Sequence, residues 1–572
     1  MSSTATSSTA ADPQKRALSC YQCKGRKLKC DRVWPCSRCT KLGDDCRFPE
    51  SRQRPTVVER GSRVKKLEAR LLNLEHRLKD VTGGHDAARS SQLGPPPVPS
   101  SSTQLLQTGR LEQLPPQALI DELTTLYFSK LYSEAPMQDA TRYLTSLHKP
   151  VQMQPPMCLQ YTIIALAATL SPERKELALA FYQRARSYVQ FDEMKDDGHL
   201  IMTIGHVQCW LLLSHFEGKN LWFTRASMSL GRAARLAQMM GLHNVEASGG
   251  PMAALPPPRD WSEKEERRRT LWAIFCTDRL MSSTTGWPVL LESSRVQTLL
   301  PASEESFRSG VEEHSVTLHE ALGDASARYS PFACRVLVAH LYHECLDHTF
   351  KEYSDDKVAY DPKGSEFLRN HRRLESRLEL MFAVLPDHLR WSERSQTRAA
   401  ATVNLCLHTA TICLYRYFTA TARRNKLNAG LISGSETRML NSASEIFTIV
   451  AHTGDIGTVF SDPSVAFAAF MAAMVFLDDY SRSRSGHSEA YLKSLMDLVV
   501  LLAENNPITS SLALQLAHEL ERAGVDVHAL EKVRHIASEM GPEAVPMGRQ
   551  NHSTGQTLFC PLQPRPGEES LP

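Results

Sequence analysis

The sequence predicts three unlike parts in series: a small cysteine-built module near the N-terminal end, a short parallel coiled coil, and a large all-α body. Three observations carry this reading. Six cysteines fall between Cys20 and Cys46 in a spacing that repeats itself. Apolar residues between 62 and 82 recur at alternating steps of three and four. Beyond residue 115, long stretches keep a helical period, and no run of short alternating strands competes with them.

The cysteines read C-x2-C-x6-C-x5-C-x2-C-x6-C, at Cys20, Cys23, Cys30, Cys36, Cys39 and Cys46, with Pro35 closing the loop between the halves. A Cys-x2-Cys pair at the start of a helical turn lets two thiolates reach one tetrahedral zinc at about 2.3 Å. The third cysteine of each half closes a small loop over the same metal. Each half thus offers three sulfurs where zinc takes four, so two zinc ions sharing two bridging thiolates use all six. A disulfide framework is the competing reading. Such frameworks belong to small secreted domains, whereas this chain opens on Ser, Thr and Ala without a charged or hydrophobic leader. The other cysteines are scattered singly, at Cys158, Cys209, Cys276, Cys334, Cys345, Cys406, Cys413 and Cys560, as in a reducing compartment. With every coordination position filled by sulfur the zinc is structural, and its binding supplies most of the folding energy of so small a segment.

Over 572 residues the net charge is only +3, and 42% of residues are hydrophobic, so the chain buries a large core in more than one folding unit. The cations concentrate around the cysteines, among them Lys24, Arg26, Lys27, Lys29, Arg38 and Lys41. A solvated surface would explain any one of them; interleaved with a metal cluster, they are the footprint of a nucleic-acid-binding module on a neutral body. The tract from Lys24 to Lys29 can double as a nuclear import signal. No apolar run reaches the ~20 residues that span a bilayer, so a soluble intracellular protein with no membrane partner is expected.

Along the chain, residues 1–17 are small, polar and expected to be disordered. The cysteine module occupies 18–48, and a basic linker with Pro49 and Pro55 runs to residue 61. In 62–82, Val64, Leu67, Leu71, Leu74, Leu78 and Val81 take the a and d positions of a coiled coil. Arg63, Arg70 and Arg77 then fall at g, and Glu68 and Glu75 at e. In a parallel homodimer Arg63 faces Glu68 and Arg70 faces Glu75 across the interface, pairs worth ~0–1 kcal/mol each that select the partner more than they hold it. An amphipathic helix packed on its own domain is the alternative; the narrow a/d stripe and the Gly83-Gly84 stop favour the dimer.

Residues 83–114 form a Pro, Ser and Gly-rich tether. From 115 to 540 the periodicity predicts helices over 119–132, 158–170, 175–189, 205–216, 222–240, 263–281, 331–350, 367–384, 400–422, 442–450, 464–479, 490–505 and 508–523. Residues 541–572 read as a disordered tail, and the apolar pair Leu558-Phe559 leaves a coactivator-docking segment as the alternative.

The stretch from Cys20 to Cys46 resembles the DNA-binding domain of the fungal zinc binuclear cluster (Zn2Cys6) transcription factors, in every cysteine spacing and in the proline before the fourth cysteine. A second resemblance lies in the body. Gly231 to His243, ending Gly-Leu-His, and Glu265 to Arg279, an arginine-rich helix with Trp272 and an Asp-Arg pair, are similar to the fungal transcription factor regulatory domain. Gly286-Trp-Pro288 stands where that family commonly has Gly-Arg-Pro. Together these resemblances cover residues 18–82 and 115–540.

The resemblance implies two Zn2+ ions with Cys20 and Cys36 as the bridges. It places the helix after Cys23 in the major groove of double-stranded DNA over a CGG-like triplet, with base contacts from Lys27 and Arg26 to guanine O6 and N7. Lys24, Lys29, Arg38 and Lys41 are then expected on phosphates. A homodimer would read two triplets whose spacing the linker sets. The implied setting is the nucleus and RNA polymerase II genes, with the transcription machinery or coactivators as partners. Family habit suggests a secondary-metabolite gene cluster.

In the body, Trp272, Phe275 and Leu280 are expected in the core, Asp278 and Arg279 as a buried pair, and Arg267 to Arg269 as solvated or paired with Glu263, Glu265 and Glu266. A helical enzyme with a zinc appendage is the rival function. The chain carries no H-E-x-x-H, G-x-S-x-G, P-loop or G-x-G-x-x-G motif. Its histidines in apolar helices, such as His206, His215, His340 and His343, are expected as core residues rather than ligands. A pure interaction scaffold, the third reading, leaves the basic helix unexplained.

Overall fold

A computed structural model describes residues 19–26, 28–48, 111–247, 255–323, 329–351, 365–392, 395–453, 463–503 and 507–525. The predicted coiled coil at 62–82, Lys27, most of the tether and the tail lie outside the described residues. The chain divides into two compact units, 1–98 and 99–572.

In the first unit two short helices, α1 (Tyr21–Gly25) and α2 (Ser37–Leu42), each start directly after a cysteine of the repeat. Those cysteines are the N-caps: the Cys20 Sγ accepts from the Cys23 backbone N–H and the Cys36 Sγ from that of Cys39, both at 3.4 Å. Each sulfur thus satisfies one of the orphan donors of a helix N-terminus. α2 stops at Gly43, whose φ of 67° is left-handed.

The second unit is helical, and among its described residues no strand occurs beyond the isolated bridge of Ser392 with Ser395. In chain order its principal helices are α3 (Gln117–Lys130), α4 (Ala140–Leu147), α5 (Met157–Ala168), α6 (Leu177–Met194), α7 (Ile204–Lys219) and α8 (Phe223–Met239). α9 (Trp261–Thr285), α10 (Glu304–Ser309), α11 (Leu318–Ala321), α12 (Pro331–Phe350) and α13 (Glu366–Val384) follow. The last group is α14 (Arg398–Arg424), α15 (Ala429–Ala451), α16 (Pro463–Ser483), α17 (Gly486–Ala503) and α18 (Pro507–Arg522). Neighbours in sequence pack against each other: α5 on α6, α7 on α8, α14 on α15, α16 on α17 and α17 on α18. Two longer links, α9 on α12 and α12 on α14, join the successive pairs, and α14 also packs on α16.

The caps explain where many of these helices begin. Asp260 accepts from the Glu263 N–H at 2.8 Å to open α9, Ser330 precedes Pro331 at α12, and Thr317 with Glu320 forms a capping box at α11. Every residue of α5 is buried, as its almost wholly apolar sequence demands. One apolar cluster extends from Leu123 to Val525 through the whole unit, with a satellite formed by Phe367, Leu368, Phe418 and Ala422. None of the described helices is long and apolar enough to cross a membrane.

In α9 the structure decides between the two expectations for the arginine run in favour of pairing. Arg267, Arg268 and Arg269 are not solvated: they are 2%, 2% and 0% exposed. Arg267 pairs with Glu263 at 2.9 Å, Arg268 with Glu246 at 2.7 Å, and Arg269 with Glu265 at 3.0 Å and Glu304 at 2.5 Å. Arg269 also donates to the carbonyl oxygens of Pro136 at 3.2 Å and Ala302 at 2.8 Å, so it ties α9 to two distant loops. Glu266 takes no arginine from this run; it accepts from Gln208 at 2.9 Å. Trp272 and Phe275 are fully buried, and Leu280 is half-buried against the core. Asp278 and Arg279 form the expected buried pair at 2.9 Å, and Asp278 also accepts the backbone N–H groups of Leu290 and Leu291.

Candidate metal centre and nucleic-acid interface

The six cysteines of the repeat come together as two quartets of sulfur. Cys20, Cys23, Cys30 and Cys36 form one; Cys20, Cys36, Cys39 and Cys46 form the other; within each, all sulfurs lie within 4.8 Å of one another. Cys20 and Cys36 belong to both, with their Sγ atoms 3.8 Å apart. Other edges are 3.7 Å for Cys20–Cys39 and Cys23–Cys36 and 3.9 Å for Cys20–Cys30. Four sulfurs about 2.3 Å from a tetrahedral centre are separated by just such edges, so the donor set fits zinc. All six are free thiols, and five of them are buried.

The two shared cysteines also differ electrostatically from the rest. Burial pushes the Cys20 and Cys36 thiols up, but bonds from the Cys23 and Cys39 backbone N–H groups, aided by neighbouring thiols, outweigh it and bring both below the ordinary thiol value. At Cys23 and Cys39 burial and the adjoining sulfurs act together and raise the thiol. Thiolate character therefore gathers at the two positions common to both quartets, and helix N-caps are the cause.

Residues outside the cysteines hold the loops. Asp31 accepts the Ser37 N–H at 2.9 Å and the Val33 N–H at 3.4 Å, and the Ser37 hydroxyl bonds to it as well. Trp34 donates its indole N–H to the Cys46 carbonyl at 2.9 Å, and the Tyr21 N–H reaches the Arg47 carbonyl at 2.8 Å. The sequence reading passed over these; an Asp two residues before a turn is the signal that could have flagged Asp31.

Of the cations singled out in the sequence, Lys24, Arg26, Lys29, Arg38 and Lys41 are all exposed, and Lys27 lies outside the described residues. Arg26 is engaged rather than free. Its guanidinium meets Asp44 through Nη1–Oδ2 at 2.7 Å and Nη2–Oδ1 at 3.4 Å, which fastens the end of α1 to the second half of the repeat. His206, His215 and His343 bond to side chains within the helical unit, to Asp192 and Thr203, to Thr277 and to Ser283 respectively. His340 is buried beside Glu344.

Comparison with known proteins gives the same partition. Residues 18–55 match the fungal Zn(2)-Cys(6) binuclear cluster domain, and residues 124–382 match the fungal specific transcription factor domain. The chain belongs to the fungal Zn2Cys6 transcription factors. Among curated proteins this transcription factor is 28% identical over 422 residues to the citrinin biosynthesis transcriptional activator mrl3 of Monascus ruber, covering 66% of this chain and 82% of that one. It is 30% identical to the pigment biosynthesis transcriptional activator pigB of Monascus ruber, over 46% of this chain and 47% of the relative. The abscisic acid cluster transcription factor abl7 of Leptosphaeria maculans is 26% identical, over 59% and 69% of the two chains. As a member of this family the protein binds zinc and DNA through its N-terminal unit, and an enzymatic role is disfavoured.

Proposed function

We propose that this transcription factor acts in the nucleus as a homodimer and activates a biosynthetic gene cluster by reading paired CGG-like triplets. The observation that carries the reading is the pair of sulfur quartets sharing Cys20 and Cys36. Two zinc ions held there, one by Cys23 and Cys30 and the other by Cys39 and Cys46, each with both shared thiolates, lock α1 and α2 in a fixed relation. Zinc supplies the rigidity; the chain supplies the contacts. Lys27 and Arg26 read guanine edges, and Lys24, Lys29, Arg38 and Lys41 hold phosphates, which makes affinity fall with salt.

Arg26 reaches DNA only with Asp44 in attendance, so its contribution to base reading is smaller than that of Lys27. Dimerisation rests on the heptads of 62–82, with Val64, Leu67, Leu71, Leu74, Leu78 and Val81 at the seam. The helical body over 115–540 is the regulatory domain, a reading supported by one apolar cluster that runs from Leu123 to Val525. The transcription machinery or coactivators are its expected partners. The biosynthetic role draws on relatives named for citrinin, pigment and abscisic acid clusters.

Selection of bound sequences from a random duplex pool tests this directly. Two CGG-like triplets at a fixed spacing are expected, and removing 63–81 should leave single-triplet binding without cooperative pairing. Lys27→Ala should cut discrimination between the selected triplet and its variants by ~1–3 kcal/mol. Recovery of sequences without such triplets would overturn the reading.

A further inference from the structure

The helical unit holds a second gathering of metal-donor side chains, far in sequence from the N-terminal cysteines. Cys158 is the second residue of α5, Asp192 lies near the end of α6, and His206 is the third residue of α7. The Cys158 Sγ, an Asp192 carboxylate oxygen and a His206 ring nitrogen all lie within 4.8 Å of one another. Gly205 makes this possible: a Cβ there would meet the Pro156 Cδ at 2.7 Å, so the first turn of α7 runs directly against the start of α5. Cys209, one turn along α7 from His206, lies beside Cys158 but outside this group. Its Sγ is 3.4 Å from the Thr162 Oγ1, and its thiol interacts with that of Cys158.

Cys158 and Cys209 are fully buried and His206 is 4% exposed, while the Asp192 side chain keeps 22% exposure and leaves a way in from solvent. The imidazole is held from both sides. His206 Nε2 is 3.1 Å from Asp192 Oδ2, and Nδ1 is 2.8 Å from the Thr203 Oγ1. In the metal-free ring the Nε2–H donates to Asp192; with the proton moved to Nδ1 and donated to the Thr203 oxygen, Nε2 turns its lone pair to a metal. A ligating histidine is fixed by just such an outer hydrogen bond.

We propose that Cys158, His206 and Asp192 form a zinc site that joins α5, α6 and α7. One thiolate, one imidazole and one carboxylate suit a borderline-soft tetrahedral ion better than magnesium or calcium, which take oxygen ligands. On zinc binding the ring proton moves from Nε2 to Nδ1, the Cys158 thiol proton leaves to solvent, and no electron changes hands. Three protein ligands leave the fourth position to a solvent molecule on the side of the partly exposed Asp192, and the ion staples three helices.

The test uses the full chain carrying Cys20→Ser and Cys36→Ser, which dismantles the N-terminal quartets and makes the result independent of the DNA-binding proposal. After zinc loading and gel filtration, elemental analysis should return one zinc per chain, with one sulfur and otherwise lighter ligands by X-ray absorption. Adding Cys158→Ser and His206→Ala should remove it. Asp192→Asn, at a partly exposed position where folding is not at stake, should lower zinc affinity at least tenfold. A chain that keeps its helical circular dichroism yet holds no zinc, zinc that survives the Cys158→Ser and His206→Ala pair, or unchanged affinity in Asp192→Asn would each overturn the proposal.

Discussion

Replacing Arg269 by Met keeps the apolar stem of the side chain and removes its charge from the middle of the helical unit. Arg269 is wholly buried, and its guanidinium lies 4.3 Å over the ring of Phe307 while bonding Glu265, Glu304 and the carbonyls of Pro136 and Ala302. Removing one member of a buried ion pair costs ~3–5 kcal/mol, because the partner is left charged and unpaired. Glu265 is partly protected: Arg268 remains 3.4 Å away, and the Ala302 N–H still donates to it at 2.9 Å. That protection pulls the pair's cost to the low end, and two unmet carbonyls add ~1 kcal/mol each, for about 5 kcal/mol in all. Urea unfolding followed by circular dichroism at 222 nm measures it. The double change Arg269→Met with Glu265→Leu should recover much of the loss, since Arg268 keeps its 2.7 Å contact with Glu246. A loss below about 1 kcal/mol for Arg269→Met would mean that water reaches this arginine, and the reasoning would fail.

Other outcomes follow from the same structure. Gly286 has a φ of 70° and its missing Cβ would lie 2.9 Å from the Phe350 Cε1, so Gly286→Ala should cost ~1–3 kcal/mol. Gly231→Ala, in α8 with nothing within 4 Å of the new methyl, should instead stabilise by ~0.5–1 kcal/mol; equal effects in thermal melts would refute the contrast. Burial holds the His340 and His371 imidazoles down to about 4, so the native state resists protons that the unfolded chain accepts. Stability should therefore be lost as pH falls from about 6.5 to about 4, by ~1 kcal/mol per pH unit for each histidine, and a flat denaturation profile over that window would contradict it. Lys41→Ala should lower the salt dependence of DNA binding by about one counterion while leaving sequence preference alone; a changed preference would move Lys41 from phosphate to base.

What could be read from the residues alone differs between the two units for a physical reason. In the first, metal-ligand spacing is local, so Cys20 to Cys46 already mark six sulfurs for two metals, while the choice of Cys20 and Cys36 as the shared pair came from the family resemblance. In the second, helices with long apolar periods such as 331–350 coincide with α12 (Pro331–Phe350). α15 was legible only from 442, although it begins at Ala429, because Gly430, Ser433, Gly434 and Ser435 dilute its apolar period. The short helices α4, α10 and α11 carry too few apolar residues to show a period at all. Pairing of Arg267 and Arg269 with Glu263 and Glu265 was legible one helical turn away, but the burial of this run was not, because Glu246, Glu304 and the carbonyls of Pro136 and Ala302 reach α9 only in the fold. The tie between Arg26 and Asp44 is of the same kind, formed across 18 residues by the closing of the two halves.

The central claim is that Cys20 and Cys36 serve two metals at once, and the zinc content of Cys36→Ser measured against the unaltered chain tests it most directly. Because the Cys36 sulfur belongs to both quartets, its loss should cost the chain two zinc ions and abolish specific DNA binding together. A chain that gives up a single ion, or none, would show that the quartets do not share this sulfur.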